Sequence, residues 1–345
     1  MQDALTFEEI EESIIKHTPC LDDKPDPKDF QFDDHMIATI AADVNIPDSF
    51  TLRSKMTGVK SQGSRGTCVA FGCVAIAEYH NKIEFMRDID LSEEHFFRKA
   101  KEIDIQDYQF TGYGAHLRSG AKALQKYGAC LEQLAPYKDT KNEKEWENFV
   151  ETPQIYSSGQ THRMDSYIRV EREKEAVKKA LFMSNAPLLC GVRLMSSYRE
   201  AKKNGGLVPV PKAGEKEIGG HCMAITGYTD THIEMKNSWG NWGDAGYIYW
   251  PWEAIEYLFL SIWSFVDLKT NPYSLTKIDQ NKSKLKDYQR ESWEKAIAKE
   301  GIITEGSLPT DVMTKGDFIV FADRLGLLDK KPTNNIVKKS SHETV

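Results

Sequence analysis

The chain has 345 residues, 40% of them hydrophobic and 28% charged, which excludes disorder throughout and predicts one large domain with small additions. Its formal net charge of −7 leaves no overall basic surface to neutralise many phosphates, so nucleic acid is not an expected partner. No run of about 18 apolar residues occurs, so no membrane span is expected. Residues 1–10 also lack the basic start and apolar stretch of a secretion signal.

Residues 1–45 carry 12 acidic and 3 basic side chains, a net of −9, which leaves +2 for the remainder. This acidic arm is read as a separate piece. It begins with an amphipathic helix (Phe7, Ile10, Ile14 and Ile15 on one face, Thr6 and Glu9 as a capping box) and continues as a Pro- and Asp-rich loop over residues 20–34. It is either a solvated arm packed on the main domain or a short pro-segment lying over a cleft.

Residues 46–268 change character. Helices are predicted over 67–85, 92–103 and 117–127, and strands over 188–194, 223–228, 232–236 and 247–250. Helices first and strands second predict an α+β domain of two lobes with a cleft between them. Residues 284–328 read as a small helical hairpin, with Tyr288, Trp293, Ala296 and Ile297 on one helix and Phe318, Val320, Phe321 and Leu325 on the other. Residues 329–345 read as a polar tail.

Three segments carry chemistry. In Gln62-Gly-Ser-Arg-Gly-Thr-Cys68, two glycines and short polar residues make a loop, and Thr67 as N-cap places Cys68 in the first turn of an apolar helix. There the helix N-terminus favours thiolate, which suits a nucleophile. A buried structural cysteine is the competing reading of that loop alone. In Gly219-Gly-His221-Cys222-Met223, a tight turn sets His221 at the mouth of an apolar strand. In Lys236-Asn237-Ser-Trp239-Gly, Asn237 closes another strand. The six cysteines (Cys20, Cys68, Cys73, Cys130, Cys190 and Cys222) include no CxxC pair, and so read as free thiols rather than a disulfide scaffold or metal site.

Taken together and in this order, these segments resemble those of the papain-like cysteine peptidases, the C1 family, over residues 46–268. The resemblance implies a papain-like two-lobed fold: a helical lobe with a central helix and a β-barrel-like lobe. Cys68 would be the nucleophile, paired as thiolate with the His221 imidazolium and forming an acyl-enzyme. His221 would act as general acid and base, Asn237 would orient it, and Trp239 would shield that bond. Gln62 and the backbone N–H of Cys68 would form the oxyanion hole. No cofactor and no metal are implied, and the partner is a peptide or protein substrate.

The wall around Gly112, Tyr113 and Gly114 would pair with an extended substrate, a simple turn being the alternative, and Cys222 or Met223 would line the S2 pocket. The sequence also departs from the family pattern. Arg65 stands where a disulfide cysteine is usual, Val69 where a tryptophan is, and residues 1–45 lack the long helical pro-region of lysosomal members. An endopeptidase is therefore the leading expectation. An exopeptidase or acyl-transferase with the same triad, or a silent peptide- or wall-binding protein, are the alternatives. The C-terminal hairpin resembles helical repeats of bacterial and phage cell-wall hydrolases, which implies a bacterial or phage source and docking to a cell wall or virion. With no signal peptide read, the location expected is cytoplasmic or virion-associated.

Overall fold

The structure, a computed structural model, describes residues 20–27, 29, 31, 45–140 and 145–267. The expected N-terminal helix, the hairpin of residues 284–328 and the tail of residues 329–345 lie outside the described residues.

Strands and helices are numbered in chain order. Helix α1, Cys68–Phe85, has fourteen consecutive residues buried from Cys68 to Asn81. A helix apolar all round has to be covered on all sides, and this one runs between the two lobes. In the first lobe it packs with α2 (Glu93–Tyr108) and α3 (Leu117–Lys126) around Val69, Val74, Phe96, Ala100 and Leu124. The Ser92 hydroxyl accepts from the His95 N–H at 3.0 Å and caps α2, with Glu93 and Glu94 in the first turn. Thr67 does not cap α1 as expected. Its hydroxyl is 2.8 Å from the Tyr137 hydroxyl instead.

The second lobe is a seven-stranded sheet whose neighbours are all antiparallel, ordered β4-β9-β5-β6-β7-β8 with β2 (Phe50–Thr51) on β6. The strands are β4 (Ser166–Val170), β5 (Leu188–Met195), β6 (Glu217–Tyr228), β7 (His232–Lys236), β8 (Tyr247–Pro251) and β9 (Phe259–Val266). The arrangement is α+β, as the order of helices and strands predicts. Strands β4 and β9 and helices α4 (Pro153–Gln160) and α5 (Lys174–Ser184) were not anticipated. A short α6, Ile255–Leu258, precedes β9. The core of this lobe includes Leu188, Val192, Ile225, Ile233, Trp250 and Ile262.

One correction concerns the acidic arm. Within the stretch read as loop, Cys20–Leu21 forms a strand, β1, paired in parallel with β3, Ala115–His116. Gln31 then bridges Arg169 on β4. Proline and aspartate lower local strand propensity, but here the ladder partner is supplied from 95 residues along the chain. No helix among the described residues is long and apolar enough to cross a membrane.

Candidate active site

The loop before α1 is held from several directions. The Gln62 N–H donates to the Ser238 carbonyl at 2.9 Å, and Ser61 bridges Trp239, tying this loop to the one that follows β7. Arg65, in place of the usual cysteine, is 1% exposed. Its guanidinium pairs with Glu94, donates to the Lys138 carbonyl at 2.8 Å and lies 5.1 Å from the Tyr137 ring centroid. The Tyr137 hydroxyl in turn donates to the Gln62 carbonyl at 2.8 Å. A buried, charge-assisted pair thus ties the loop before α1 to the first turn of α2. All six cysteines are free and buried.

The expected residues converge. His221 is placed by the β5–β6 ladder, where it pairs with Val192. Its Nε2 donates to Asn237 Oδ1 at 2.8 Å, and the same oxygen accepts the Ser238 N–H at 2.8 Å. Two donors on one oxygen fix the amide orientation, so the proton sits on Nε2 and Nδ1 carries the lone pair in the neutral ring. Nδ1 is buried without a hydrogen-bond partner. The Cys68 sulfur lies against the backbone N–H groups of Val69 and Cys222, which brings the thiol beside the His221–Cys222 peptide. Trp239, 2% exposed, sits 4.7 Å from the imidazole centroid and covers it, backed by Tyr198 at 5.6 Å and Trp242 at 5.2 Å.

The Gln62 side chain is buried and oriented at both ends. Its Oε1 accepts from the Ser238 hydroxyl at 2.6 Å, and its Nε2 donates to the Arg65 carbonyl at 2.8 Å. The amide has two N–H bonds, so a second remains to serve an oxyanion.

Burial works against the expected thiolate and imidazolium. It pushes the Cys68 thiol up, against the backbone N–H groups that favour thiolate, and pushes His221 down to about 4. Both side chains are fully buried.

The substrate-facing expectations divide. The carbonyls of Gly112 and Gly114 each accept from the buried Lys101 ammonium at 2.9 Å, so residues 112–114, with Tyr113 between them, form a turn anchored on α2. Strand pairing starts one residue later, at Ala115, and it is parallel. Cys222 packs with Cys68, Cys73 and Cys20 in the helical-lobe core, whereas Met223 points into the core of the sheet lobe.

Sequence reasoning missed two features. The first is a polar cluster around Glu78 of α1 that joins the lobes. The Lys60 ammonium contacts Glu78 at 2.6 Å, Asp90 at 2.6 Å and Glu93 at 3.0 Å, while Lys236 donates to the Thr57 hydroxyl at 3.1 Å. Burial lowers Lys236 to about 8. The only hint was charge inside apolar helix and strand patterns. The second is Cys20. A methyl group added at Gly191 would meet the Cys20 sulfur at 2.9 Å, Leu117 at 2.7 Å and Leu260 at 3.1 Å. Gly191 is the register partner of Cys222, so Cys20 fills an apolar pocket next to the triad. Among the described residues, no group of three or more His, Cys, Asp or Glu side chains is arranged to hold a metal ion.

Comparison with known proteins agrees with this geometry. The sequence model of the papain family cysteine proteases matches residues 46–254. An uncharacterised peptidase C1-like protein of Acanthamoeba polyphaga mimivirus is 29% identical over 275 residues, covering 70% of this chain and 84% of its own. Papain from Carica papaya is 29% identical over 209 residues; the match spans 60% of this chain and 55% of papain's length. The crystal structure of xylellain, a cysteine protease from Xylella fastidiosa, superposes with a TM-score of 0.62 at 25% identity, over 73% of this chain and 97% of that one. With the family pattern matched over more than half its length and the Cys68, His221 and Asn237 arrangement in place, the chain belongs to the papain family of cysteine peptidases.

Proposed function

We propose that this peptidase is an endopeptidase that cleaves peptide bonds through an acyl-enzyme on Cys68, and that the acidic N-terminal segment covers its cleft. The observation that carries the reading is the asymmetric His221 ring. Nε2 is committed to Asn237, which leaves the lone pair of Nδ1 to take the Cys68 proton. The thiolate attacks the scissile carbonyl, and the developing oxyanion is met by the free Gln62 Nε2–H and the Cys68 N–H. His221 then gives its proton to the leaving amine. Water, activated by the same nitrogen, releases the acid and restores the thiol.

The segment reading rests on β1. In its favour are the parallel pairing at Ala115–His116 and the insertion of Cys20 between Leu117, Gly191 and Leu260, beside the Gly191–Cys222 register pair. An extended peptide paired antiparallel there would run the other way, so the segment would occupy the cleft without presenting a bond in cleavable register.

Hydrolysis of internally quenched peptides by the full chain, beside Cys68→Ala, tests the first part. For the second, Cys20→Glu places a charge in the apolar pocket and should displace β1. Turnover should rise several-fold if the segment blocks the cleft. Unchanged turnover with a lowered melting temperature would make the segment a structural arm only. Docking of residues 284–328 to a cell wall or virion rests on their resemblance to wall-hydrolase repeats, and binding of the full chain to purified peptidoglycan tests it.

A further inference from the structure

Beyond the pocket filled by Cys20, the segment places three carboxylates on a set of donors that all belong to the peptidase domain. The Asp23 carboxylate, on a residue 4% exposed, accepts the Arg118 backbone N–H in the first turn of α3 at 3.0 Å and the Trp263 indole N–H at 3.0 Å. Asp22 accepts the Ser261 N–H at 3.0 Å and the Ser261 hydroxyl at 2.8 Å. Asp29 accepts the Arg118 Nε–H at 3.1 Å, pairs with Nη2 of the same guanidinium and lies 3.5 Å from Arg169 Nη1. The Arg118 side chain is 4% exposed, and both guanidinium carbons stand 5.5 Å from the Trp263 ring centroid. Among the described residues, the acid within ion-pair distance of these two arginines is Asp29, from the segment itself. An open groove of mixed charge, lined by Arg169 and Arg172 together with Glu171, Glu173 and Glu256, continues outward from this point.

Two buried or half-buried guanidinium groups and four further donors make a poor resting surface for an empty cleft. If the segment leaves, the Arg118 guanidinium keeps the Tyr108 hydroxyl at 3.1 Å but loses the Asp29 carboxylate, and the Trp263 N–H loses Asp23, in a place of restricted water access; a peptide carrying a carboxylate would restore them. We infer that this cradle is a subsite for an acidic side chain of the peptide substrate, within about three residues of the side chain that enters the Cys20 pocket. The inference rests on the reading of the segment as cleft-covering and names the substrate class of that same site. Burial outweighs the donors around Asp23 and holds its carboxyl above the usual range. The arginine pair, more than the helix terminus, therefore sets the preference. Burial works against the Arg118 charge too, but its bond to Asp29 holds the guanidinium firmly protonated.

The test uses the full chain with Cys68→Ala, Asp23→Asn and Asp29→Asn, in which the segment no longer supplies those carboxylates. Its ligands are capped peptides with one small apolar residue and a Glu or a Gln one to three positions away on either side. Both sides are scanned because the direction in which substrate pairs with Ala115–His116 fixes which one reaches the cradle. At one position the Glu peptide should bind roughly tenfold or more tightly than its Gln twin, and the gap should shrink as salt rises. Arg169→Gln, on the strand edge, should remove most of the gap, and Arg118→Gln is the second variant if its melting temperature is retained. Equal binding of the Glu and Gln peptides at every position, or binding of neither, overturns the inference. Hydrolysis by the Cys68 enzyme is measured on the same peptides. Hydrolysis without acid selectivity would leave the peptidase reading standing, and acid-selective binding without hydrolysis would count against that reading alone.

Discussion

Replacing Arg65 by alanine should damage this protein out of proportion to one surface-loop residue. Arg65 is 1% exposed, its partner Glu94 is nearly as buried, and no second cation lies on that carboxylate among the described ion pairs. Removing one partner of a buried ion pair typically costs about 3–5 kcal/mol, because the other charge is left uncompensated. The contacts to the Lys138 carbonyl and the Tyr137 ring disappear with it. In a domain of this size each kcal/mol moves the melting temperature by about 2–4 °C, so Arg65→Ala should melt roughly 6–20 °C lower. Because Tyr137 also holds the Gln62 carbonyl, turnover should fall as well. The double replacement Arg65→Met with Glu94→Leu removes both charges and should recover most of the stability. Denaturant unfolding of the wild type, the two single variants and the double variant closes the cycle. A loss below about 1 kcal/mol in Arg65→Ala, or a double variant no more stable than the singles, would refute the assignment of Arg65 as the tie between its loop and α2.

Asn237→Ala frees the His221 ring and its tautomer, and should lower kcat about 10- to 100-fold with little change in KM, read from steady-state hydrolysis. His80 and His221 are both pushed down by burial from 6.5 to about 4. The unfolded chain therefore binds more protons than the folded one between those values, and stability should fall as pH drops from about 6.5 to 4. The loss approaches about 3 kcal/mol per histidine. Denaturant midpoints at pH 7, 5.5 and 4.5 check this, and His80→Asn should remove about half of the slope; a flat profile would contradict the neutral, buried assignment.

The residues of the catalytic constellation were legible because each sits in a short motif whose local geometry does the work. A glycine loop before an apolar helix presents Cys68, and the Asn-Ser-Trp-Gly turn supplies both Asn237 and its cover, whereas His221, expected at a strand mouth, lies inside β6, which begins at Glu217. What escaped the sequence depends on partners distant in the chain. Strand β9, Phe259–Val266, is apolar apart from Ser261 and Ser264, with no alternation of period two to mark it, because both of its faces are buried. Cys20–Leu21 sits among prolines and aspartates and becomes a strand only through Ala115–His116. The helix terminus that favours a Cys68 thiolate is visible in the sequence, whereas the burial that opposes it comes from elements distant in the chain. Arg65 was noted as a missing cysteine, but its carboxylate partner 29 residues away was not foreseen.

The most direct test of the central claim is to follow alkylation and hydrolysis together in the full chain, locating the adduct by mass spectrometry of proteolytic fragments. With iodoacetamide present during turnover, one carboxamidomethyl group per chain should appear on Cys68, and activity should fall in the same proportion, because Cys68 is the thiol that the proposed mechanism deprotonates. Cys68→Ala should neither hydrolyse peptide nor take up label at that rate. Hydrolysis that persists with Cys68 fully alkylated, or that survives in Cys68→Ala, would contradict the assignment of Cys68 as the nucleophile.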